Sequence, residues 1–325
     1  MILSYHPCFI GDQNRLCAGR APDETDRAAI GAADAVILPQ GCTQALYEMA
    51  TRHCAHVFPN YGKRLAYPGK IGQARLFREF NAKHPRTATF ASLSAIDDDQ
   101  VRNGGGALPT GFSWPIVFKF DWGGEGDNVM RVDTPEDLGA ALEKAALYER
   151  SGQKGFLIQE YIPAAGRSLR VVVIGRRLTA YWRVQPDETV FSAGISKGAS
   201  IDATADPQLR EIGMDRVRQF CDHAGINLAG FDLLFADRPD DTRKNMEPYF
   251  LEINYFFGRT GLGGSLCFYE LLCAEITAWL NRLGLALTTD RRPCDTAYNG
   301  GDNSGEMISD AHDDKQDMSS PRPEN

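Results

Sequence analysis

Two carboxylates and an amide stand at strand-like positions in the run from Ala229 to Gly264, AGFDLLFADRPDDTRKNMEPYFLEINYFFGRTGLGG. Gly230 to Ala236 and Pro248 to Asn254 each place apolar residues in near alternation, and a polar segment with Asp, Arg, Lys and Pro separates them, which reads as a hairpin with a long connection. Asp232 lies in the first strand; Glu252 and Asn254, two apart in the second, point to one face. Acids in mid-strand are costly to bury unless paired or metal-bound. Two carboxylates and a side-chain amide are hard oxygen donors of the kind that suit Mg²⁺. A solvated sheet face is the competing reading, and the flanking Phe, Leu and Ile argue against it. A second feature lies upstream. Pro115 to Phe120 (PIVFKF) reads as a strand carrying Lys119, and Trp122-Gly123-Gly124-Glu125-Gly126 follows it directly. A glycine-rich turn lets backbone N–H groups approach a phosphate, although glycine hairpins are common. Lys119 is the sharper clue, because a Lys inside an apolar strand is rarely buried without an anion. Lys70 opens a helix running to Phe80, where the helix dipole favours an anion; a solvated surface Lys is the alternative there.

An Asp in a GFDLL strand, followed some twenty residues later by LEIN, resembles the Mg²⁺-binding hairpin of the ATP-grasp superfamily. The likeness is to its carboxylate–amine ligases: D-alanine–D-alanine ligases, glutathione synthetases and the glutamate-adding ligases that modify a ribosomal protein. It runs from about Trp114 to Gly264. The resemblance implies ATP as cofactor and up to two Mg²⁺ ions, with Mn²⁺ able to substitute, on Asp232, Glu252 and Asn254. It makes Lys70 and Lys119 the phosphate-binding lysines and places Gly123, Gly124 and Gly126 in the loop over the phosphates. Gln159, Glu160, Tyr161 and Ile162 would be the hinge that reads adenine through its backbone, with Ile162 on the ring and Glu160 accepting from the amino group. Ser168 stands where related ligases carry an acid for the ribose hydroxyls. Arg170, Arg183 and Lys197, the last in a loop from Ser196 to Ser200, would contact the γ-phosphate and an acyl-phosphate. Arg259 would hold a substrate carboxylate bidentately. Many of these ligases continue from the Asn into a small residue, Pro and Gly; here Tyr255-Phe256-Phe257-Gly258-Arg259 follows.

The implied reaction is ligation. A carboxylate attacks the γ-phosphate, giving an acyl-phosphate and ADP, and an amine displaces phosphate. Two other readings stay open: a non-catalytic or regulatory ATP-binding module, which Ser168 and the altered segment after Asn254 favour, and phosphoryl transfer to a non-carboxylate acceptor. The expected partners are a small-molecule carboxylate and amine, or a peptide or protein terminus. A homo-oligomer is compatible with this, and no residue identifies the substrates.

The elements that must position these residues follow from periodicity. Residues 2–5, Ala35 to Leu38 and Ala55 to Phe58 read as short strands, and Asp23 to Ala33 and Thr43 to His53 as helices. Strand–helix alternation predicts a parallel, doubly wound sheet, with ligands at the strands' carboxyl ends, near His6, Cys8, Gln40 and Cys42. A nucleophilic Cys42 has no activating base that the sequence identifies. Thr87 to Phe90, Asn128 to Val132, Phe156 to Ile162, Leu169 to Ile174 and Leu178 to Val184 are further strands. Helices are expected after Thr134, over Pro207 to His223 and over Leu266 to Leu283. The fold class is α/β: an ATP-grasp fold with α+β subdomains behind an N-terminal Rossmann-like parallel-sheet domain. The expected divisions are an N-terminal α/β domain over 1–85, a lid subdomain with linker over 86–160, a metal-bearing subdomain over 161–287 and a disordered acidic tail over 288–325.

The chain has 325 residues, 43% of them hydrophobic, enough for a sizeable core. With 35 Lys and Arg against 43 Asp and Glu it carries a formal charge of -8, which argues against non-specific nucleic-acid binding. The eight cysteines show no CxxC pair or metal-ligand spacing, so reduced thiols in a cytoplasmic protein are expected. The N-terminus lacks a signal-peptide pattern, and no apolar run is long enough to span a membrane.

Overall fold

A computed structural model describes residues 1–17, 19–96, 108–123, 128–187, 191, 194–237 and 246–288. Short apolar strands and capped helices form its first layer. β1 (Ile2–Ser4), β2 (Gln13–Asn14), β3 (Ala35–Ile37) and β4 (Val57–Phe58) pair in parallel in the order β2-β1-β3-β4. The Asp23 carboxylate accepts from the N–H groups of Thr25 and Asp26 and starts α1 (Glu24–Gly31). The Thr43 hydroxyl does the same for Leu46 and starts α2 (Gln44–His53). α3 (Gly62–Ala66) and α4 (Gly69–Glu79) then carry the chain out of this layer.

The second sheet is antiparallel, in the order β5-β8-β6-β7: β5 (Thr87–Phe90), β6 (Ile116–Phe120), β7 (Val129–Val132) and β8 (Phe156–Glu160). Its covering helix, α5 (Pro135–Arg150), opens on a reciprocal box between Thr134 and Asp137 with Pro135 at the first position. Alternation sends Phe118, Phe120, Phe156 and Ile158 into the core under α5. Lys119, Leu157 and Gln159 take the opposite face.

The third sheet, in the order β11-β10-β9-β12-β13, is built from β9 (Arg167–Ile174), β10 (Arg177–Val184), β11 (Ser200–Asp202), β12 (Leu228–Leu234) and β13 (Tyr249–Asn254). One face, with Leu169, Val171, Trp182, Phe231, Leu233 and Ile253, packs on α6 (Pro207–Ala224), and α4 packs on its β13 edge through Phe77 against Phe250. The other face is covered at one end by α7 (Gly264–Arg282), whose Phe268, Leu272 and Ile276 meet Val172, Ile174 and Tyr181. The uncovered end of that face carries the charged residues described below.

Some expectations need correction. β8 ends at Glu160, so Tyr161 and Ile162 follow the strand rather than extend it. Thr288, placed in the tail, is tied to the body: its N–H and hydroxyl both donate to Asp12 Oδ1 at 2.7 Å. The rest of that tail, 289–325, and Gly124 and Gly126 lie outside the described residues. Cys8, Cys17, Cys42, Cys54, Cys221 and Cys267 are free thiols, but Cys273 is disulfide-bonded. Among the described residues no helix is long and apolar enough to cross a membrane.

Candidate active site

The antiparallel register decides what meets on the third sheet. Asp232 on β12 lies opposite Glu252 on β13 and opposite Arg170 on β9, and Gly230 lies opposite Asn254. On the far side of β9, Tyr181 faces Arg170 and Arg183 faces Ser168. Cross-strand partners share a face, so Ser168, Arg170, Arg183, Asp232, Glu252 and Asn254 are brought to one surface. Gly230 gives the room this needs, since a Cβ there would lie 3.2 Å from Arg170 Cδ and Nη1.

Asp232 is the centre of this surface. Its Oδ1 accepts from Arg170 Nε and from Arg183 Nη2, both at 2.6 Å. Its Oδ2 accepts from Arg170 Nη2 at 3.1 Å and from Asn254 Nδ2 at 3.1 Å. Burial pushes the Asp232 carboxyl up, but Arg170 and then Arg183 overcome it and hold it at about 2. Ser168 Oγ accepts from Arg183 Nη2 at 3.2 Å, whereas Arg183 Nε is buried without a hydrogen-bond partner among the described residues. A buried guanidinium N–H with nothing to donate to points to an absent anion.

A β-bulge adjusts β13. Pairing runs Asp232 to Glu252 and then Leu233 to Phe250, which leaves Leu251 as the extra residue. Leu251 and Glu252 therefore both line the cleft between the second and third sheets. α4 supplies Lys70, Ala74 and Phe77 to that cleft, the second sheet supplies Lys119, Leu157 and Gln159, and His84 closes it. Lys70 Nζ donates to the Gly123 carbonyl at 2.7 Å and stands 4.0 Å from Glu252 Oε1. Lys119 is 9% exposed, and burial, which Glu252 only partly offsets, lowers its amine to about 8. Gly123 must be glycine: its φ is +81° and a Cβ would lie 2.2 Å from Asn128 Nδ2. The cleft therefore gathers two cations in an apolar frame, beside one partly exposed carboxylate.

Of the other expected site residues, Gln159 lines the cleft and the rest stand outside it. Gln159 Nε2 donates to Thr87 Oγ1 at 2.9 Å. The Glu160 carboxylate is turned onto the Arg86 N–H at 2.9 Å, so it is engaged away from the cleft. Tyr161 lies under the Arg131 guanidinium, 4.8 Å from the ring centroid, and Ile162 is half-buried beside it. Lys197 ends a single 3-10 turn, Ile195–Lys197, and its carbonyl accepts from Gln185 Nε2. Arg259 donates to Ser265 Oγ at 3.2 Å and lies over the rings of Phe268 and Tyr269. This is the side of the molecule where burial, and then Arg259, lower His6 to about 4. Cys42 is buried and its thiol is pushed up to about 12 by burial, so it is no nucleophile.

The donor chemistry fits a hard cation in part. Among the described residues no three His, Cys, Asp or Glu side chains cluster as a complete metal site. Asp232, Glu252 and the Asn254 amide oxygen are the hard oxygen donors that would hold Mg²⁺. Sequence reasoning missed Gln73, Ala74, Phe77, His84, Asp121, Leu157 and Leu251. The spacing of Lys70, Ala74 and Phe77 on one helical face was a usable signal.

A family model described as "RimK-like ATP-grasp domain" matches residues 95–263, more than half of the chain. A curated protein of Teredinibacter turnerae named "Probable alpha-L-glutamate ligase" is 28% identical over 191 residues, covering 57% of this chain and 58% of that protein. One of the same name from Psychromonas ingrahamii is 27% identical over 194 residues, covering 59% and 57%. The chain thus spans less than three-fifths of the length of these relatives. Two solved structures share the fold. A RimK domain ATP-grasp protein of Sphaerobacter thermophilus aligns with TM-score 0.53 and 16% identity, covering 83% of this chain and 97% of that one. A D-alanine–D-alanine ligase of Bacillus anthracis aligns with TM-score 0.53 and 15% identity, covering 80% and 84%. The ATP-grasp fold expected from the GFDLL and LEIN strands is the fold found.

Proposed function

Because the chain belongs to the RimK-like ATP-grasp family, we propose that it is a Mg-ATP-dependent ligase that joins a carboxylate to an amine through an acyl-phosphate. The observation that carries the reading is the convergence of Lys70, Lys119 and Glu252 on one cleft, beside the Asp232 cluster with its unpartnered Arg183 Nε. Lys70 and Lys119 bind the phosphates of ATP, and the apolar side chains of Ala74, Phe77, Leu157 and Leu251 exclude water around the nucleotide. Asp232, Glu252 and Asn254 would hold Mg²⁺, which supplies charge neutralisation of the phosphate oxygens. Arg183 and Arg170 stand on the same sheet face as these ligands. Arg183 offers its buried Nε–H to a phosphoryl oxygen, stabilising the charge that moves onto the leaving ADP and the transferred group. The substrate carboxylate oxygen bonds to the γ-phosphorus and the bond to ADP breaks. The amine nitrogen then bonds to the acyl carbon, phosphate leaves and the amine loses a proton. The protein contributes position and charge, and no covalent enzyme intermediate is needed.

The relatives are named as glutamate ligases, so L-glutamate is the first substrate to supply. The test is trapping with hydroxylamine in the presence of Mg-ATP, glutamate and pools of carboxylic acids and peptides. ADP release that depends on one acid, with a hydroxamate of that acid, supports the reading. If the hydroxamate is of glutamate, glutamate is the acid; if another acid is trapped and glutamate replaces hydroxylamine, glutamate is the amine. Nucleotide binding with no acid-dependent ADP release would leave a binding module, and a phosphorylated alcohol would indicate a kinase-like transfer.

A further inference from the structure

Helix α4 grips both walls of the cleft with directed hydrogen bonds. On one wall, Gln73 reaches β13. Its Oε1 accepts from the Ile253 N–H at 2.8 Å and its Nε2 donates to the Ile253 carbonyl at 2.9 Å. Ile253 stands between Glu252 and Asn254. β13 is the edge strand of the third sheet, and an edge leaves outward N–H and C=O groups without a strand to pair with. The Gln73 amide, with one N–H donor and one C=O acceptor in peptide-like arrangement, completes that edge at the one residue between the two candidate metal ligands.

On the other wall, α4 lacks a cap from its own N-terminus, because Pro68 makes no side-chain cap bond. The cap comes from Asp121, fifty positions along the chain, whose Oδ1 accepts from the Ile71 N–H at 2.7 Å. The Asp121 carbonyl also accepts from the Lys70 N–H at 3.3 Å. Asp121 follows β6 directly, two residues after Lys119. Gly69 makes the approach feasible: its φ is +69° and a Cβ there would lie 2.5 Å from Asp121 Oδ1. Among the described residues the second and third sheets share no strand pairing. Lys83 also reaches the start of β13, through a main-chain bond with Phe250, a bond to the Glu247 carbonyl and its place over the Tyr249 ring, and the contacts on α4 join the strand that carries Lys119 to the strand that carries Glu252 and Asn254.

We propose that Gln73 and Asp121 are positioning residues that make α4 a strut. Gln73 fixes the backbone between Glu252 and Asn254, and Asp121 fixes Lys70 and Lys119 relative to it. The proposal rests on the Mg-nucleotide site described above. A strut of this kind gives the two grips separable effects, which a general loss of stability would not.

The experiment titrates the full chain with ADP by calorimetry, first without Mg²⁺ and then with Mg²⁺ varied, with melting curves for every variant. Gln73→Leu removes both bonds to Ile253 at similar volume. It should raise the Mg²⁺ concentration for half-maximal binding about 10-fold, the scale of outer-shell effects on metal affinity, and leave metal-free ADP affinity unchanged. Asp121→Ala should weaken metal-free ADP binding about 10-fold, the scale of a lost helix cap, and Asp121→Asn, which keeps an oxygen for the Ile71 N–H, should restore most of it. If Gln73→Leu does not fold, Gln73→Glu, which keeps the acceptor for Ile253 N–H, is read in its place. Unchanged binding in the variants, or equal losses in both titrations that track the melting temperature, overturns the strut and leaves the ligase reading standing. A parent protein that binds no nucleotide with or without Mg²⁺ overturns both.

Discussion

Replacing Lys119 by Met should make the protein more stable and a poorer nucleotide binder at once. Lys119 lies in the middle of β6 with Phe118 and Phe120 on either side, and burial lowers its amine from 10.5 to about 8. At neutral pH that depression corresponds to roughly 3 kcal/mol of unfavourable charge burial. Met keeps the stem's bulk and removes the charge. Relaxation around the parent Lys will have recovered part of the cost, so a gain of ~1–2 kcal/mol is expected, a few degrees in melting temperature. A hydrogen bond from a charged donor contributes ~1.5–3 kcal/mol, so nucleotide affinity should fall ~10- to 100-fold. The assay pairs thermal melting without ligand against calorimetric titration with ADP and Mg²⁺. A Met variant that melts lower than the parent yet binds nucleotide equally well would refute the reasoning, because Lys119 would then be structural.

Three further outcomes follow from the same geometry. Glu252→Ala should weaken Mg-nucleotide binding at least ~10-fold with little change in melting temperature, as Glu252 is only partly buried; undiminished Mg²⁺ dependence in a titration would exclude it as a ligand. Lys119 in the folded protein releases its proton near pH 8 rather than 10.5, so the unfolded chain binds more protons between those values and stability rises with pH there. Nucleotide affinity should fall over the same window as the cation is lost, and Lys119→Arg should flatten that fall in titrations from neutral to alkaline pH. Cys42→Ala should leave activity unchanged and slow alkylation should mark the parent thiol, since burial pushes it up to about 12.

Local pattern made most elements legible. The reciprocal Thr134–Asp137 box, the short apolar runs in FLIQE and RSLRVVVI, and the GFDLL and LEIN strands are each decided within a few residues. The sharing of a face by Asp232, Glu252 and Asn254 follows from a period of two, once the hairpin register is set. What escaped depends on distant partners or on very short pieces. β2 and β11 have two and three residues, too few to show a period. The bulge at Leu251 is a property of the pairing with β12. Asp121 caps a helix fifty positions away, and Gln73 pairs with backbone 180 positions away; neither partner leaves a mark near the residue itself. The same holds for Ser168, which resembles a misplaced ribose ligand in sequence and accepts from Arg183 in the fold.

The acyl-phosphate is the centre of the account, and the transfer of oxygen tests it most directly. The acid that stimulates ADP release would be supplied with its carboxylate labelled with heavy oxygen, together with Mg-ATP and the amine. Attack by that carboxylate on the γ-phosphorus carries one of its oxygens into the phosphate released, so each turnover should deliver one labelled oxygen to inorganic phosphate, read by mass spectrometry or phosphorus resonance shift. Turnover that yields unlabelled phosphate would mean that water or another acceptor takes the γ-phosphoryl group, and would contradict the ligase mechanism.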